Sequence, residues 1–323
     1  MHLSKRPKKA ANDFSVLLRT VLGEDRFPVD VKALAIEISK NFEDPISRIE
    51  GIEIDGFEGM LRASRKKPAW RILFNTTTRY PGRERFTLAH EFGHYVMHRR
   101  PLTAADYANG TSPAGLDFEC SPLHSNRWKE SDREREEEAD TFASFLLMPI
   151  DDYRQQLSGR EITRSLLNHI TNRYGVSLLA AVRKWIDFTE QRAAMVVARD
   201  GFALWGRASE RALRSGIFIT SGMEIPTLSI AARGPDAQRG NAETPISLEA
   251  NIWGFQRSNE PVRELTIFSQ RLGLSISILL FDGAPATLEP DEVSEIDAYD
   301  VLTGQPSNTA YATSTFRDWP ARR

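Results

Sequence analysis

The apolar and polar positions in the first part of the chain alternate between helical and strand-like patterns. Apolar side chains recur every three or four residues over residues 12–22, and again after Pro28. Two short runs, Gly59–Leu61 and Trp70–Phe74, are strand-like and are separated by a charged turn, which predicts a β-hairpin. The pattern therefore predicts helices that pack over a small sheet.

Two longer helices are predicted after this sheet. One runs from about Arg83 to Arg99, after the turn pair Pro81–Gly82. The chain is then almost wholly charged from Arg127 to Glu138, and it becomes amphipathic with a helical period until Pro149. Both helices have an apolar side that can be buried.

A helical pair and a β-rich region are predicted downstream. Residues 161–172 and 177–190 flank Tyr174–Val176 with a spacing that resembles a helix-turn-helix, but facing apolar stripes favour a packed helical hairpin over DNA binding. After Gln191 the chain becomes β-rich. Strands are expected at 194–197, 216–220, 227–231 and 275–281, with a helix at about 262–272. The predicted fold class is therefore α+β.

The first long helix carries the motif His90-Glu91-Phe92-Gly93-His94. His90 and His94 are one helical turn apart, so both imidazoles can bind one tetrahedral zinc ion. Glu91 lies to the side, where its carboxylate can reach a water activated by the metal without becoming a ligand. Gly93 leaves room for another helix to approach closely. The motif predicts a zinc-dependent endopeptidase with Glu91 as general base.

The second long helix offers the third ligand that a catalytic zinc ion normally needs. Glu136 and Asp140 are one turn apart and begin where this helix becomes amphipathic. We assign Glu136 as the third ligand, with Glu137 as the main alternative. Asp140 is assigned to accept a hydrogen bond from a ligand histidine. His98, one turn beyond the motif, is assigned a supporting role and not a ligand role.

Composition and charge narrow the function classes. With 42 basic and 44 acidic residues the formal net charge is −2, so no global field favours nucleic acid or an anionic membrane. The sequence has no window of eighteen uninterrupted apolar residues, and its single cysteine, Cys120, excludes an intramolecular disulfide. A cysteine hydrolase built on Cys120 is the less favoured interpretation, because the metal motif accounts for the histidines. The expected location is the cytoplasm.

Five stretches of the chain resemble the ImmA/IrrE metallopeptidase family. They are Pro28–Asp30, Gly56–Met60, Arg85–His94, Glu136–Asp140 and Phe142–Pro149. The likeness covers roughly residues 12–188. The resemblance implies a gluzincin-like zinc peptidase fold, with His90, His94 and Glu136 as metal ligands and Glu91 as base.

The same resemblance implies a substrate and a location. Members of this family are intracellular and cut helix-turn-helix repressors of the Xre type, which relieves repression in mobile-element or DNA-damage responses. Some carry a C-terminal sensor domain that resembles a GAF fold. One departure concerns Asp140, because many family members have asparagine at that place.

These observations give a division of the chain into four parts. Residues 1–11 are expected to be a disordered basic tip, 12–150 the zinc metallopeptidase domain, 151–191 the helical hairpin packed on it, and 192–323 an α+β sensor or interaction domain. Zinc is the expected metal, and manganese is an alternative that the ligand chemistry permits. A substrate strand is expected to pair with the sheet along Arg71, Ile72, Leu73, Phe74 and Asn75.

The alternative function is a zinc-containing regulator without catalysis. Such a protein would bind a repressor, or bind DNA through residues 161–190. Glu91 argues against this alternative, because a purely structural zinc site has no use for a glutamate between its histidines and usually has a closed set of cysteine and histidine ligands.

Overall fold

Helices and strands are mixed along the chain, which confirms the α+β prediction. The computed structural model describes residues 4–77, 81–108, 118–120, 130–235, 242–249, 252–253, 260–270 and 272–282. In chain order, the first half contains α1 (Pro7–Leu22), α2 (Val31–Ser39), β1 (Ile46–Ile52), β2 (Gly59–Ala63), β3 (Trp70–Asn75), α3 (Pro81–Met97), β4 (Phe118–Cys120), α4 (Glu130–Leu147) and α5 (Ile150–Leu157). The second half contains α6 (Arg164–Tyr174), α7 (Leu178–Phe188), β5 (Ala193–Arg199), β6 (Phe202–Ala208), α8 (Glu210–Arg214), α9 (Ile230–Arg233), β7 (Ile246–Leu248), β8 (Val262–Ser269) and β9 (Leu274–Phe281).

The first sheet has the strand order β1-β3-β2-β4. Strands β2 and β3 are antiparallel, with Leu61 opposite Ile72, so the predicted hairpin is confirmed. Strand β1 runs parallel to β3 on its other side and was not predicted. Its Ser47, Arg48 and Glu50 break the apolar alternation that marks a strand in sequence.

Helices α3 and α4 pack closely against each other at Gly93. A Cβ atom at Gly93 would lie 3.0 Å from Cδ1 of Phe142 and 3.4 Å from Cα of Ala139. The predicted close approach is confirmed. Helix α3 begins at Pro81, because the fixed φ and missing N–H of proline suit the first helical position better than the interior of a turn.

Helix α1 packs behind these two helices. The ring of Phe14 lies 5.4 Å from that of Phe92 on α3 and 6.1 Å from that of Phe142 on α4, measured between centroids. The disordered tip expected for residues 1–11 is therefore wrong from Pro7 onward. Its lysines occupy the solvent side of the helix, whereas Ala10 and Ala11 are buried.

The buried carboxylate of Asp44 ties strand β3 to the end of α3. It accepts hydrogen bonds from Trp70 Nε1 at 2.9 Å, Arg99 Nε at 3.2 Å and the Leu102 amide at 3.1 Å. Removing it would leave these donors buried without their acceptor. This network fixes the segment that follows the histidine motif.

We expect Asp44→Ala to lower the free energy of unfolding by about 3–5 kcal/mol, the usual cost of breaking one side of a buried ion pair. Urea denaturation would measure the change. Asp13→Ala breaks the exposed pair between Lys9 and Asp13 and should cost less than about 1 kcal/mol. Equal losses in the two variants would contradict the role given to Asp44.

The helical hairpin and a second sheet complete the described fold. The sheet has the order β6-β5-β9-β8-β7 and is antiparallel throughout. The facing stripes predicted on α6 and α7, including Leu167, Ile170 and Val182, are buried in one core with Met195 and Ile278 of the sheet. A second apolar cluster lies on the other face of the sheet. The boundaries expected at residues 150 and 191 stay predictions, and residues from 283 onward lie outside the described part.

Three expectations for the β-rich region are wrong. Residues 262–269 form strand β8, because Glu264 is buried and lies on the same face as Val262, which hides the alternation in the sequence. Its carboxylate accepts hydrogen bonds from Trp253 Nε1 at 2.9 Å and Thr266 Oγ1 at 2.6 Å. Residues 217–220 are irregular, and the run at 227–231 leads into the single-turn helix α9.

No helix among the described residues is both long enough and apolar enough to span a membrane.

Candidate active site

The two motif histidines point at each other from one face of α3. His94 is fully buried and His90 is nearly so. Their Nε2 atoms lie 3.0 Å apart, because residues four positions apart on a helix lie one above the other. Two imidazole nitrogens at this distance converge on one point in space.

Glu136 of α4 brings a carboxylate to the same point. Its Oε2 lies 3.1 Å from His90 Nε2 and its Oε1 lies 3.3 Å from His94 Nε2. Tetrahedral zinc holds such ligands at about 2.0–2.2 Å, which places neighbouring donor atoms about 3.3–3.6 Å apart. The donor set and its spacing therefore fit a divalent metal. Glu137, the alternative ligand in the sequence, is exposed and lies outside this cluster.

The electrostatics of this cluster also suit a cation. Burial alone would lower the pKa of His90, but its hydrogen bonds to Asp140 and Glu136 outweigh burial and raise it to about 10. Burial lowers the pKa of His94 to about 4. Burial would raise the pKa of Glu136, but hydrogen bonds from both histidines lower it. A divalent cation would supply the positive charge that the proton on His90 otherwise provides.

Each histidine is held from behind by a further side chain. Nδ1 of His90 lies 2.9 Å from Oδ1 of Asp140, as the sequence predicts for Asp140. Nδ1 of His94 lies 2.9 Å from Nδ1 of His98, and Nε2 of His98 lies 2.9 Å from Oε2 of Glu138. Glu138 was missed, because nothing in three consecutive glutamates shows which one meets His98.

Glu91 is fully buried on the side of α3 that faces strand β2. A Cβ atom at Gly59 of β2 would lie 2.5 Å from Oε1 of Glu91 and 2.5 Å from Cγ2 of Thr87. Strand β4 closes the adjacent side, where the ring of Phe118 stacks on His94 with centroids 5.0 Å apart. Neither Gly59 nor Phe118 was predicted as a site residue.

Residues 52–185 match the IrrE N-terminal-like domain of the M78 peptidase family. This segment is similar to the M78 peptidase domain. The match confirms the ImmA/IrrE resemblance and contains His90, Glu91, His94 and Glu136. A peptidase of this family would act on a protein substrate. No curated protein matches the chain.

The prediction that a substrate strand pairs with the sheet along strand β3 is wrong. Strand β3, with Arg71, Ile72, Leu73, Phe74 and Asn75, is bonded to β1 on one side and to β2 on the other. It therefore has no free edge for a substrate strand. The sequence did not reveal this pairing, because the polar residues of β1 kept it from being recognised as a strand.

Asn75 nevertheless lies beside α3, the helix that carries the histidine motif. It lines a cavity of about 240 Å³ whose wall also includes Thr87, one turn before Glu91. Its amide nitrogen donates to the carbonyls of Ile54 at 2.9 Å and Phe57 at 2.7 Å, which shapes the cavity wall. The cavity is large enough for a single amino-acid side chain.

We expect Gly59→Ala to lower peptidase activity by at least about tenfold. The reason is that a displacement of about 1 Å in a catalytic group can lower the reaction rate about 100-fold. The added methyl group would push against the Glu91 carboxylate. Steady-state peptide cleavage would measure the loss. Met60→Ala, at the next position of β2, should change activity little, and equal activity of the Gly59 variant and wild type would contradict the predicted contact.

Proposed function

We propose that this protein is a zinc-dependent endopeptidase that cuts an Xre-type helix-turn-helix repressor. The observation that carries the proposal is the convergence of His90, His94 and Glu136 on one point, next to the buried carboxylate of Glu91. Zinc is proposed over manganese because two imidazoles and one carboxylate form a donor set typical of catalytic zinc.

In the proposed reaction His90, His94 and Glu136 hold the metal, and Asp140 fixes the ring of His90. A zinc ion in this site would polarise the scissile carbonyl and lower the pKa of a water molecule. Glu91 takes a proton from that water and then delivers it to the departing amine, so one carboxylate serves as base and then as acid. Its burial beside β2 keeps bulk water from competing for the proton.

The substrate is proposed from two lines of support. The M78 family acts on proteins, and the resemblance to ImmA/IrrE proteins points to repressors of the Xre type. We further propose that the cavity beside Thr87 receives one side chain of the substrate next to the scissile bond. Cleavage would relieve repression in a stress or mobile-element response, in the cytoplasm where such repressors act.

The second sheet is proposed to be a sensor domain with a GAF-like fold. Its five antiparallel strands carry apolar clusters on both faces, so it can pack on the peptidase side and still enclose a core of its own. A signal received there would control access to the peptidase site.

The test mixes the purified protein and zinc with the Xre-type repressor encoded nearest to its gene. A single discrete cut that depends on added metal, and is absent with Glu91→Gln, would support the proposal. An uncut repressor, with metal bound and the protein folded, would rule out this repressor as a substrate of the protein in the absence of a signal. Repetition with manganese would decide which metal supports the higher rate.

A further inference from the structure

We propose that Glu138 is a positioning residue for the metal site, and that it acts on the ligand His94 through His98. The inference rests on the proposed metal site of His90, His94 and Glu136. It assigns a role to a residue that touches neither the metal nor the substrate. The role follows from a chain of two hydrogen bonds that runs from His94 to Glu138.

A metal ion held by His90, His94 and Glu136 would fix the direction of each hydrogen bond in this chain. His94 presents Nε2 to the ligand cluster, so that nitrogen must carry a lone pair and Nδ1 must carry the proton. His94 Nδ1 then donates to His98 Nδ1, and a neutral His98 carries its own proton on Nε2. That Nε2–H donates to the Glu138 carboxylate at 2.9 Å. Every atom in the chain is satisfied in one arrangement.

In this arrangement each of the two proposed ligand histidines is linked by hydrogen bonds to a carboxylate. His90 donates directly to a carboxylate, that of Asp140. His94 reaches a carboxylate only through an intervening imidazole. A carboxylate behind a ligand histidine fixes its tautomer and raises its basicity toward the metal. Glu138 gives His94 the support that Asp140 gives His90.

Packing holds the intervening ring in place. The side chain of His98 is 6 % exposed, and the ring of Phe118 lies against both His94 and His98, with centroids 5.0 and 6.3 Å away. His98 therefore cannot readily turn away from its two partners. Glu138 is more exposed, at 36 %, so its replacement should disturb the fold little.

The test measures zinc affinity by competition with a chromogenic chelator, on the full chain. Glu138→Ala should weaken zinc binding by about tenfold, at the lower end of the roughly 10–100-fold range for residues that support metal ligands. Glu137→Ala removes a neighbouring exposed carboxylate and should leave affinity unchanged. Glu138→Gln keeps an acceptor oxygen for His98 and should lose less affinity than the alanine variant.

A double-mutant cycle separates positioning from simple charge. If Glu138 acts through His98, Glu138→Ala should have no further effect in a His98→Ala background, because the connection is already broken. Independent, additive losses would indicate a general electrostatic effect and would overturn the proposal. Equal affinities of Glu138→Ala and Glu137→Ala would also overturn it.

Two further measurements distinguish this proposal from a purely structural role of Glu138 and from a failure of the proposed metal site. A purely structural role for Glu138 would lower the melting temperature of the metal-free protein without changing zinc affinity, and that result would refute the inference. If the wild-type chain bound no zinc, the metal site in the proposed function would fail. If wild type bound zinc and Glu138→Ala bound it equally well, only the role of Glu138 would fail.

Discussion

Replacing Glu91 by glutamine is expected to reduce cleavage by at least about 100-fold, while zinc binding stays within about twofold of wild type. The substitution keeps the shape of a buried side chain and removes its ability to take a proton. The three proposed ligands are untouched, because Glu91 lies outside their cluster. Cleavage rate and zinc content should therefore separate in this variant.

The measurement pairs a discontinuous cleavage assay with metal analysis of the same sample. Glu84→Gln is a suitable control, because Glu84 lies in the first turn of the same helix and pairs with Lys32 on the surface. It should retain full activity. Cleavage by the Glu91 variant at more than a tenth of the wild-type rate would contradict its role as general base.

Replacing His94 by alanine is expected to weaken zinc binding by at least about 100-fold, and with it to abolish cleavage. A structural zinc site with four ligands is worth about 10–16 kcal/mol, so each ligand contributes on the order of 3 kcal/mol, which corresponds to about 100-fold. His94 is fully buried, so the loss must be measured on protein shown to be folded by circular dichroism.

The same assay distinguishes the two glutamates that compete for the third ligand position. Glu136→Ala should lose zinc about as severely as His94→Ala, whereas Glu137→Ala should keep it. Unchanged zinc affinity after loss of His94 would overturn the whole ligand set. Unchanged affinity after loss of Glu136 alone would overturn only the third ligand.

The parts of the site that sequence predicts are those fixed by local geometry. His90 and His94 are brought together by one helical turn, and the same period pairs Glu136 with Asp140. The contact between the two helices also has a local mark, since Gly93 is the residue that permits it. Such features can be predicted without knowing how distant segments of the chain pack together.

The parts that sequence does not predict depend on packing between distant segments. Strand β3 is internal to its sheet because the largely polar β1 pairs with it, and no local pattern marks that pairing. Strand β8 looks helical because Glu264 is buried with five hydrogen-bond donors around it, which reverses the usual meaning of a charge in a pattern. The partner of His98 depends on how α3 and α4 lie side by side.

The smallest fragment of this protein that we expect to be active must include helix α1. The M78 match begins at residue 52, yet Phe14 fills the space between Phe92 and Phe142, directly behind the two helices that carry the proposed ligands. A fragment cut to the matched segment would leave those rings facing water and the histidine helix without its backing. Grafting this site onto another scaffold would therefore require a substitute for α1, although α1 contributes no atom to the chemistry.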